Sequence, residues 1–222
     1  THTQSSAASD VYKRQEPVPG AELTLHLDIE LQRVAAAAMG DMRGAVVALD
    51  PRSGGVLSAV SSPRYDPNKF VNGISFSDYA ELRDSRDAPL LNRVIQGQYP
   101  PASTIKPMLG LAGLNRDLIT IDTAIPDPGY YQLPGDPRRY RDWILRVRGT
   151  GHAEEMNLRD SIAQSCDVYF YELANRFGID ALAESLDDFG IGSVTGVDLP
   201  SEKRGILPSP EWKRRVIGSS WY

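Results

Sequence analysis

The sequence predicts an α/β chain of the α+β kind: one β-hairpin followed by a long, mostly helical stretch. Three observations carry that expectation. Two apolar, β-branched runs, Gly44 to Asp50 and Gly55 to Ser61, flank Pro51-Arg52-Ser53-Gly54, and a turn signal between such runs marks a hairpin. Apolar residues at helical spacing recur behind capping residues, first after Asp28 and again after Asn157. No further strand-like run follows the hairpin, and a two-stranded hairpin is marginal by itself. The chain therefore reads as a portion of a larger domain, with a free apolar sheet edge.

Residues 1–20 read as a tail and linker, and residues 21–222 as the N-terminal portion of one domain. Thr1 to Gln15 are polar, small and aperiodic, which predicts disorder and need not be native sequence. Leu23-Thr24-Leu25-His26-Leu27 alternates as a strand does. Asp28 is placed to cap a helix over Ile29 to Met39, with Leu31, Val34, Ala35 and Ala38 on its apolar face and Gly40 at its end. Beyond the hairpin comes a loop-rich crossing with a short helix around Ser77 to Leu82. A helix starts close to Ser103, continues through Leu109, Leu111, Ala112 and Leu114, and ends near Asn115. Ile125 to Gly149, rich in Pro, Gly, Tyr and Arg, is expected to be an ordered irregular excursion. Asn157 caps a helix from Leu158 to about Asn175. Gly178 stops it, a second helix runs from Ile179 to Phe189, and a last helical piece lies near Glu211.

Composition narrows the function classes. With 222 residues, 41% hydrophobic and 24% charged, the chain has the balance of a globular protein. A net charge of −5 speaks against nucleic acid as a partner. No run approaches the roughly eighteen apolar residues that span a membrane, and the first fifteen residues lack the apolar core of a signal peptide. The single cysteine, Cys166, excludes an internal disulfide.

The chemistry is announced by Pro100-Pro101-Ala102-Ser103-Thr104-Ile105-Lys106-Pro107. Ser103 and Lys106 stand three residues apart at a helix start, a spacing that puts both on one face. A serine hydroxyl is a poor nucleophile until a base takes its proton, and a desolvated lysine can serve as that base. Pro107 costs little in a first turn, whose amides lack intrahelical partners anyway. Ser103 then sits at the positive end of the helix dipole, where backbone N–H groups stabilise an oxyanion. Ser and Lys at this spacing also occur by chance on surface helices, so the surrounding text has to decide.

That text is specific. Gly44-Ala45-Val46-Val47-Ala48-Leu49-Asp50-Pro51, Arg93-Val94-Ile95-Gln96-Gly97 and the Ser103 segment, in that order, resemble the transpeptidase domain of penicillin-binding proteins. Asp127-Pro128-Gly129-Tyr130-Tyr131-Gln132-Leu133-Pro134 and Arg139-Tyr140-Arg141-Asp142-Trp143 are similar to the elongation-type class B subgroup. The likeness runs from about Ala21 to Tyr222. It implies the penicillin-binding, serine β-lactamase-like fold. It also implies that Ser165-Cys166-Asp167 is the second motif of the family. Ser165 would relay a proton between Lys106 and the leaving group, and Asp167 would hydrogen-bond Lys106. The family more often has Asn at that third position. An ionised carboxylate only accepts hydrogen bonds, and it favours an ammonium at Lys106. A second Ser-x-Asp, Ser185-Leu186-Asp187, shows that the pattern alone is cheap. The third motif, Lys-Ser/Thr-Gly, is absent: Lys69, Lys203 and Lys213 precede Phe, Arg and Arg. In the family it follows the point reached at Tyr222.

Asp127, Asp142, His152 and Cys166 form an O, O, N, S set between the first two motifs, and zinc accepts such a set in a closed tetrahedron. A loop of this length with little secondary structure needs something to order it. The spacing follows no metal motif, and the same residues also read as turn-forming aspartates, a loop histidine and a small buried cysteine. Resemblance to zinc-holding relatives implies a structural Zn²⁺ and no cofactor for the chemistry.

The resemblance implies a peptidoglycan D,D-transpeptidase of cell elongation. Such an enzyme has stem peptides as substrates, β-lactams as inhibitors and a membrane glycosyltransferase as partner. It acts in the periplasm from the bacterial inner membrane. Without the third motif, this chain alone is expected not to label with penicillin. A β-lactamase, a β-lactam sensor or a non-catalytic cell-wall scaffold protein are the competing readings of the same residues.

Overall fold

The computed structural model describes residues 19–219. The expected disordered stretch from Thr1 to Gln15 and the closing Ser220-Trp221-Tyr222 lie outside the described residues.

Leu23 to Leu27 is not a strand. All three leucines are exposed, and alternation makes a strand only where a neighbour supplies a ladder. The segment is held instead by the Asp28 N–H, which donates to the Leu57 carbonyl at 2.9 Å. The His26 ring fills the space over Gly55, where a Cβ would come within 2.8 Å of it.

Helix α1 (Ile29–Met39) begins at its predicted cap, with Asp28 Oδ1 accepting from the N–H groups of Glu30 and Leu31, and ends at Gly40. Its buried face differs from the apolar one read from the sequence. Ala35 is buried, but Leu31, Val34 and Ala38 are exposed. The cause is Gln32. Its Nε2 donates to the Ala59 carbonyl at 2.8 Å, and its Oε1 accepts from the Ala59 N–H at 2.8 Å and from Ser58 Oγ at 2.9 Å. This polar clamp fixes which side of the helix meets the sheet, and the leucine side turns outward.

The hairpin stands as expected: β1 (Gly44–Leu49) pairs antiparallel with β2 (Val56–Ser62), from Gly44 opposite Ser62 to Leu49 opposite Val56. Asp50 shapes the turn by accepting from the Arg52 N–H and Ser53 Oγ. Gly54 supplies the left-handed backbone, φ +75°, that the turn needs. Among the described residues β1 has no second neighbour, and Val47 and Leu49 are exposed. In the crossing, Ser75 caps α2 (Phe76–Asp84), and α3 (Arg93–Gln96) follows under an Asn92 cap.

The core belongs to the helical part. Helix α4 (Lys106–Asn115) packs closely on α7 (Asp167–Asp187) because two glycines face its neighbours. A Cβ at Gly110 would lie 2.9 Å from Leu158, and one at Gly113 would lie 3.0 Å from Leu173. Ala112, Ile119, Met156, Leu158, Tyr169 and Leu173 fill the space between. The excursion is ordered, as expected. It contains a two-residue ladder of β3 (Tyr130–Tyr131) with β4 (Tyr140–Arg141), then α5 (Ile144–Arg148), and is pinned to the core by an Ile125–Met156 bridge.

The single helix expected from Asn157 is two. Asn157 caps α6 (Leu158–Ala163), the chain breaks at Ser165, and α7 (Asp167–Asp187) restarts with Cys166 as its cap. Ser165 sits at φ +56°, which no helix contains, so the break is built into its backbone. Gly178 interrupts α7 where the sequence placed a stop, and α8 (Pro210–Ile217) begins at Ser209.

Candidate active site

Ser103 lies in a 3-10 turn, Ala102–Ile105, that runs directly into α4. The expected α-helical start is thus one tighter turn, in which residues three apart stack almost directly above each other. Ala102 holds φ +48°, a conformation disfavoured by its Cβ. Thr104 Oγ1 donates to the Pro101 carbonyl, closing the turn. Pro107 occupies the first turn of α4, as predicted. Ser103 is exposed, whereas Lys106 is buried, at 6% of its accessible surface.

Lys106 does not hydrogen-bond Ser103 directly among the described contacts, which corrects the simple i to i+3 picture. Its Nζ donates to the Ser165 carbonyl at 2.8 Å, to Ser165 Oγ at 3.2 Å and to Asp167 Oδ1 at 2.6 Å. Those acceptors use all three donors of an ammonium. Ser165 Oγ in turn donates to Ser103 Oγ at 2.8 Å. The two residues are therefore joined through Ser165, whose left-handed backbone turns its hydroxyl and its carbonyl to the same amine. All four predicted residues, Ser103, Lys106, Ser165 and Asp167, come together. The decoy does not: Ser185 is buried in α7, donates to the Ala181 carbonyl and accepts from Arg116 Nε.

The O, O, N, S set also converges. One donor atom from each of Asp127, Asp142, His152 and Cys166 lies within 4.8 Å of the others. The carboxylates and the imidazole have at most 1% of their side-chain surface exposed. Asp127 Oδ2 is 2.6 Å from His152 Nδ1, accepts from the His152 N–H at 3.0 Å and receives Cys166 Sγ at 3.6 Å. Burial pushes the Asp127 carboxyl up, but the His152 and Gly129 hydrogen bonds outweigh it and hold the group below the ordinary carboxylate value. Burial, with the two carboxylates nearby, pushes the Cys166 thiol up to about 12. His152 Nε2 is buried without a hydrogen-bond partner. Two buried carboxylates, a thiol and a half-satisfied imidazole facing one point are a donor set that suits a cation.

Cluster and serine site share a wall. Asp142 Oδ2 accepts from the N–H groups of Asp167 and Val168, and Cys166 Sγ accepts from the Tyr169 N–H. Both thus cap α7, the helix that carries Asp167. Trp143, which the sequence reading did not single out, donates its indole N–H to the Ser165 carbonyl at 3.1 Å. Its signal in the sequence is its place beside Asp142 in the Arg139-Tyr140-Arg141-Asp142-Trp143 segment.

Known proteins share this arrangement of chain. Residues 44–221 match the family model described as the penicillin binding protein transpeptidase domain. Over 208 residues, 94% of this chain and 30% of the relative, the sequence is 50% identical to the peptidoglycan D,D-transpeptidase MrdA of Acinetobacter baumannii. It is 44% identical to the Escherichia coli K12 protein of the same name over 95% of this chain and 32% of that one. The chain thus spans about a third of the length of these relatives. A crystal structure of Pseudomonas aeruginosa PBP2 in complex with WCK 5153 superposes with a TM-score of 0.86 at 46% identity, covering 95% of this chain and 45% of that one. A complex of Helicobacter pylori PBP2 with MreC gives 0.81 at 38% identity, covering 88% of this chain and 35% of that one. By its matched residues, its fold and its extensive identity, the chain belongs to the penicillin-binding protein transpeptidase domain family.

Proposed function

We propose that this chain carries the acylation centre of an elongation-type peptidoglycan D,D-transpeptidase. The observation that carries the reading is the hydrogen-bonded line Lys106–Ser165–Ser103, with an exposed hydroxyl at one end and a buried amine at the other. Ser103 Oγ attacks the carbonyl between two D-alanines of a stem peptide, and its proton passes through Ser165 to Lys106. Asp167 Oδ1 accepts from Lys106 Nζ at 2.6 Å and holds the amine beside Ser165. Backbone N–H groups at the start of the Ser103 turn are read as the donors to the oxyanion. Collapse expels D-alanine, which leaves with the proton returned along the same line. An amine of a neighbouring stem then attacks the acyl-enzyme and releases Ser103.

The cluster of Asp127, Asp142, His152 and Cys166 is read as a structural Zn²⁺ site. The ion would supply charge neutralisation and a cross-link between the excursion and α7, and all four residues would be committed to holding it. No cofactor enters the acyl transfer. The intact protein is read as sitting at the bacterial inner membrane and acting in the periplasm beside a membrane glycosyltransferase, a reading that similarity to the MrdA relatives supports. Similarity to a solved peptidoglycan synthase complex that coordinates polymerization and crosslinking, at 32% identity with a TM-score of 0.80, supports such a partner.

The test is cross-linking of uncross-linked glycan strands by the intact protein. Release of one D-alanine per cross-link, lost in Ser103→Ala, is expected. Cross-linking that persists in Ser103→Ala, or D-alanine release without any acyl-enzyme, would refute the assignment.

A further inference from the structure

The Ser165 carbonyl accepts two hydrogen bonds, from Lys106 Nζ at 2.8 Å and from the Trp143 indole at 3.1 Å. The other side of the same peptide is held as well, because the Cys166 N–H donates to the Ser161 carbonyl at 2.9 Å. Ser165 itself stands at φ +56°, and such a backbone in a residue other than glycine persists only where its surroundings over-determine it.

The two donors on that carbonyl are not equivalent. Lys106 must change its bonding when it takes or gives a proton, so its hold on the carbonyl varies through the reaction. An indole N–H only donates and does not titrate, so it holds in every protonation state. Burial does not explain the tryptophan, whose surface is 44% exposed. Its ring meets the edge of His152, with centroids 5.8 Å apart and planes at 67°, which aims the N–H inward. Its neighbour Asp142 grips the amides of Asp167 and Val168. Two consecutive residues of the excursion therefore clamp both ends of Ser165-Cys166-Asp167.

We propose that Trp143 is a positioning residue for acyl transfer, its indole N–H locking the Ser165–Cys166 peptide so that Ser165 Oγ stays between Ser103 and Lys106. This inference rests on the acyl-transfer reading above. It concerns rate and not affinity, since the indole acts through Ser165 and not on the acyl donor.

The experiment is stopped-flow acylation of the intact protein by a chromogenic cephalosporin, separating the dissociation constant of the non-covalent complex from the acylation rate constant. Trp143→Phe removes the N–H and part of the ring. Replacing Trp143 by 3-benzothienylalanine keeps the ring shape and substitutes sulfur for the N–H. Loss of one hydrogen bond that orients the relay is expected to slow acylation about tenfold in both variants, with the dissociation constant changed less than about twofold. A benzothienyl variant that acylates at the unaltered rate overturns the proposal. So does a loss carried wholly by weaker non-covalent binding, or one that merely tracks the fraction of unfolded protein. A protein that fails to acylate with Trp143 in place overturns the acyl-transfer reading itself, which separates the two failures.

Discussion

Asp142 caps the helix that carries Asp167: its Oδ2 accepts from the Asp167 N–H at 2.6 Å and from the Val168 N–H at 3.2 Å. One carboxylate thereby belongs to two assemblies, the buried O, O, N, S cluster and the first turn of α7. Asp167 Oδ1 sits 2.6 Å from Lys106 Nζ, so the position of the amine follows from the cap. This turn is the physical link by which a change in the excursion is expected to reach the serine site.

Asp142→Ala should therefore act at both places. Loss of a charged helix cap and of its buried hydrogen bonds costs about 1–3 kcal/mol. A lower melting temperature together with slower acylation by penicillin is expected, while Asp142→Asn, which keeps an acceptor, should recover part of the stability. Normal acylation in the alanine variant would show that the cap does not set the position of Lys106.

Metal uptake should release a proton. The Cys166 thiol is raised to about 12, so at neutral pH it enters the site protonated and must lose that proton to bind Zn²⁺ as thiolate. Affinity then rises with pH throughout the range below that value. Calorimetry in buffers of different ionisation enthalpy should give about one proton released per ion, and none in Cys166→Ala. Elemental analysis of the purified protein that finds no zinc, or uptake without proton release, would end this reading.

Acid should loosen the same region. Burial raises Asp127, but its hydrogen bonds from His152 and Gly129 prevail and its carboxyl is held low. A group with a lowered folded pKa contributes stability that is present above its unfolded value, roughly 4, and is lost as pH falls through the folded one. The melting temperature of metal-free protein should fall below about pH 4, and Asp127→Asn should flatten that limb while lowering stability at neutral pH. An acid limb identical in Asp127→Asn and the unaltered protein would contradict the assignment.

Gln32→Ala tests the docking of α1. The side chain makes three hydrogen bonds to Ala59 and Ser58, and its removal leaves the Ser58 hydroxyl buried without that partner. A destabilisation of about 1–3 kcal/mol is expected from chemical denaturation. A loss below about 0.5 kcal/mol would mean that apolar packing, not the clamp, seats the helix.

Local signals in the sequence were good guides where one residue decides the backbone. Asp28, Asn157, Gly40 and Gly178 mark real helix boundaries, and Pro51 to Gly54 a real turn. Ser103, Lys106, Ser165 and Asp167 were legible through motif order, and Ser185-Leu186-Asp187 shows why spacing alone would not have sufficed. What could not be read depended on tertiary partners. The leucines of Leu23 to Leu27 and of α1 followed apolar patterns, yet a single glutamine and the lack of a ladder among the described residues set their environment. The break at Ser165 has no glycine or proline to announce it, because contacts from Lys106, Trp143 and Ser161 sustain that backbone. Trp143 stayed hidden for the same reason, since its role lies in one N–H aimed across the fold.

Mass-spectrometric mapping of a penicillin adduct on the intact protein probes the serine site most directly. A penicilloyl group on the peptide containing Ser103 is expected, stable for the time of digestion, absent in Ser103→Ala and slow to form in Ser165→Ala. No adduct, or an adduct on Ser165 or any other residue with Ser103 intact, would contradict the assignment of Ser103 as the nucleophile.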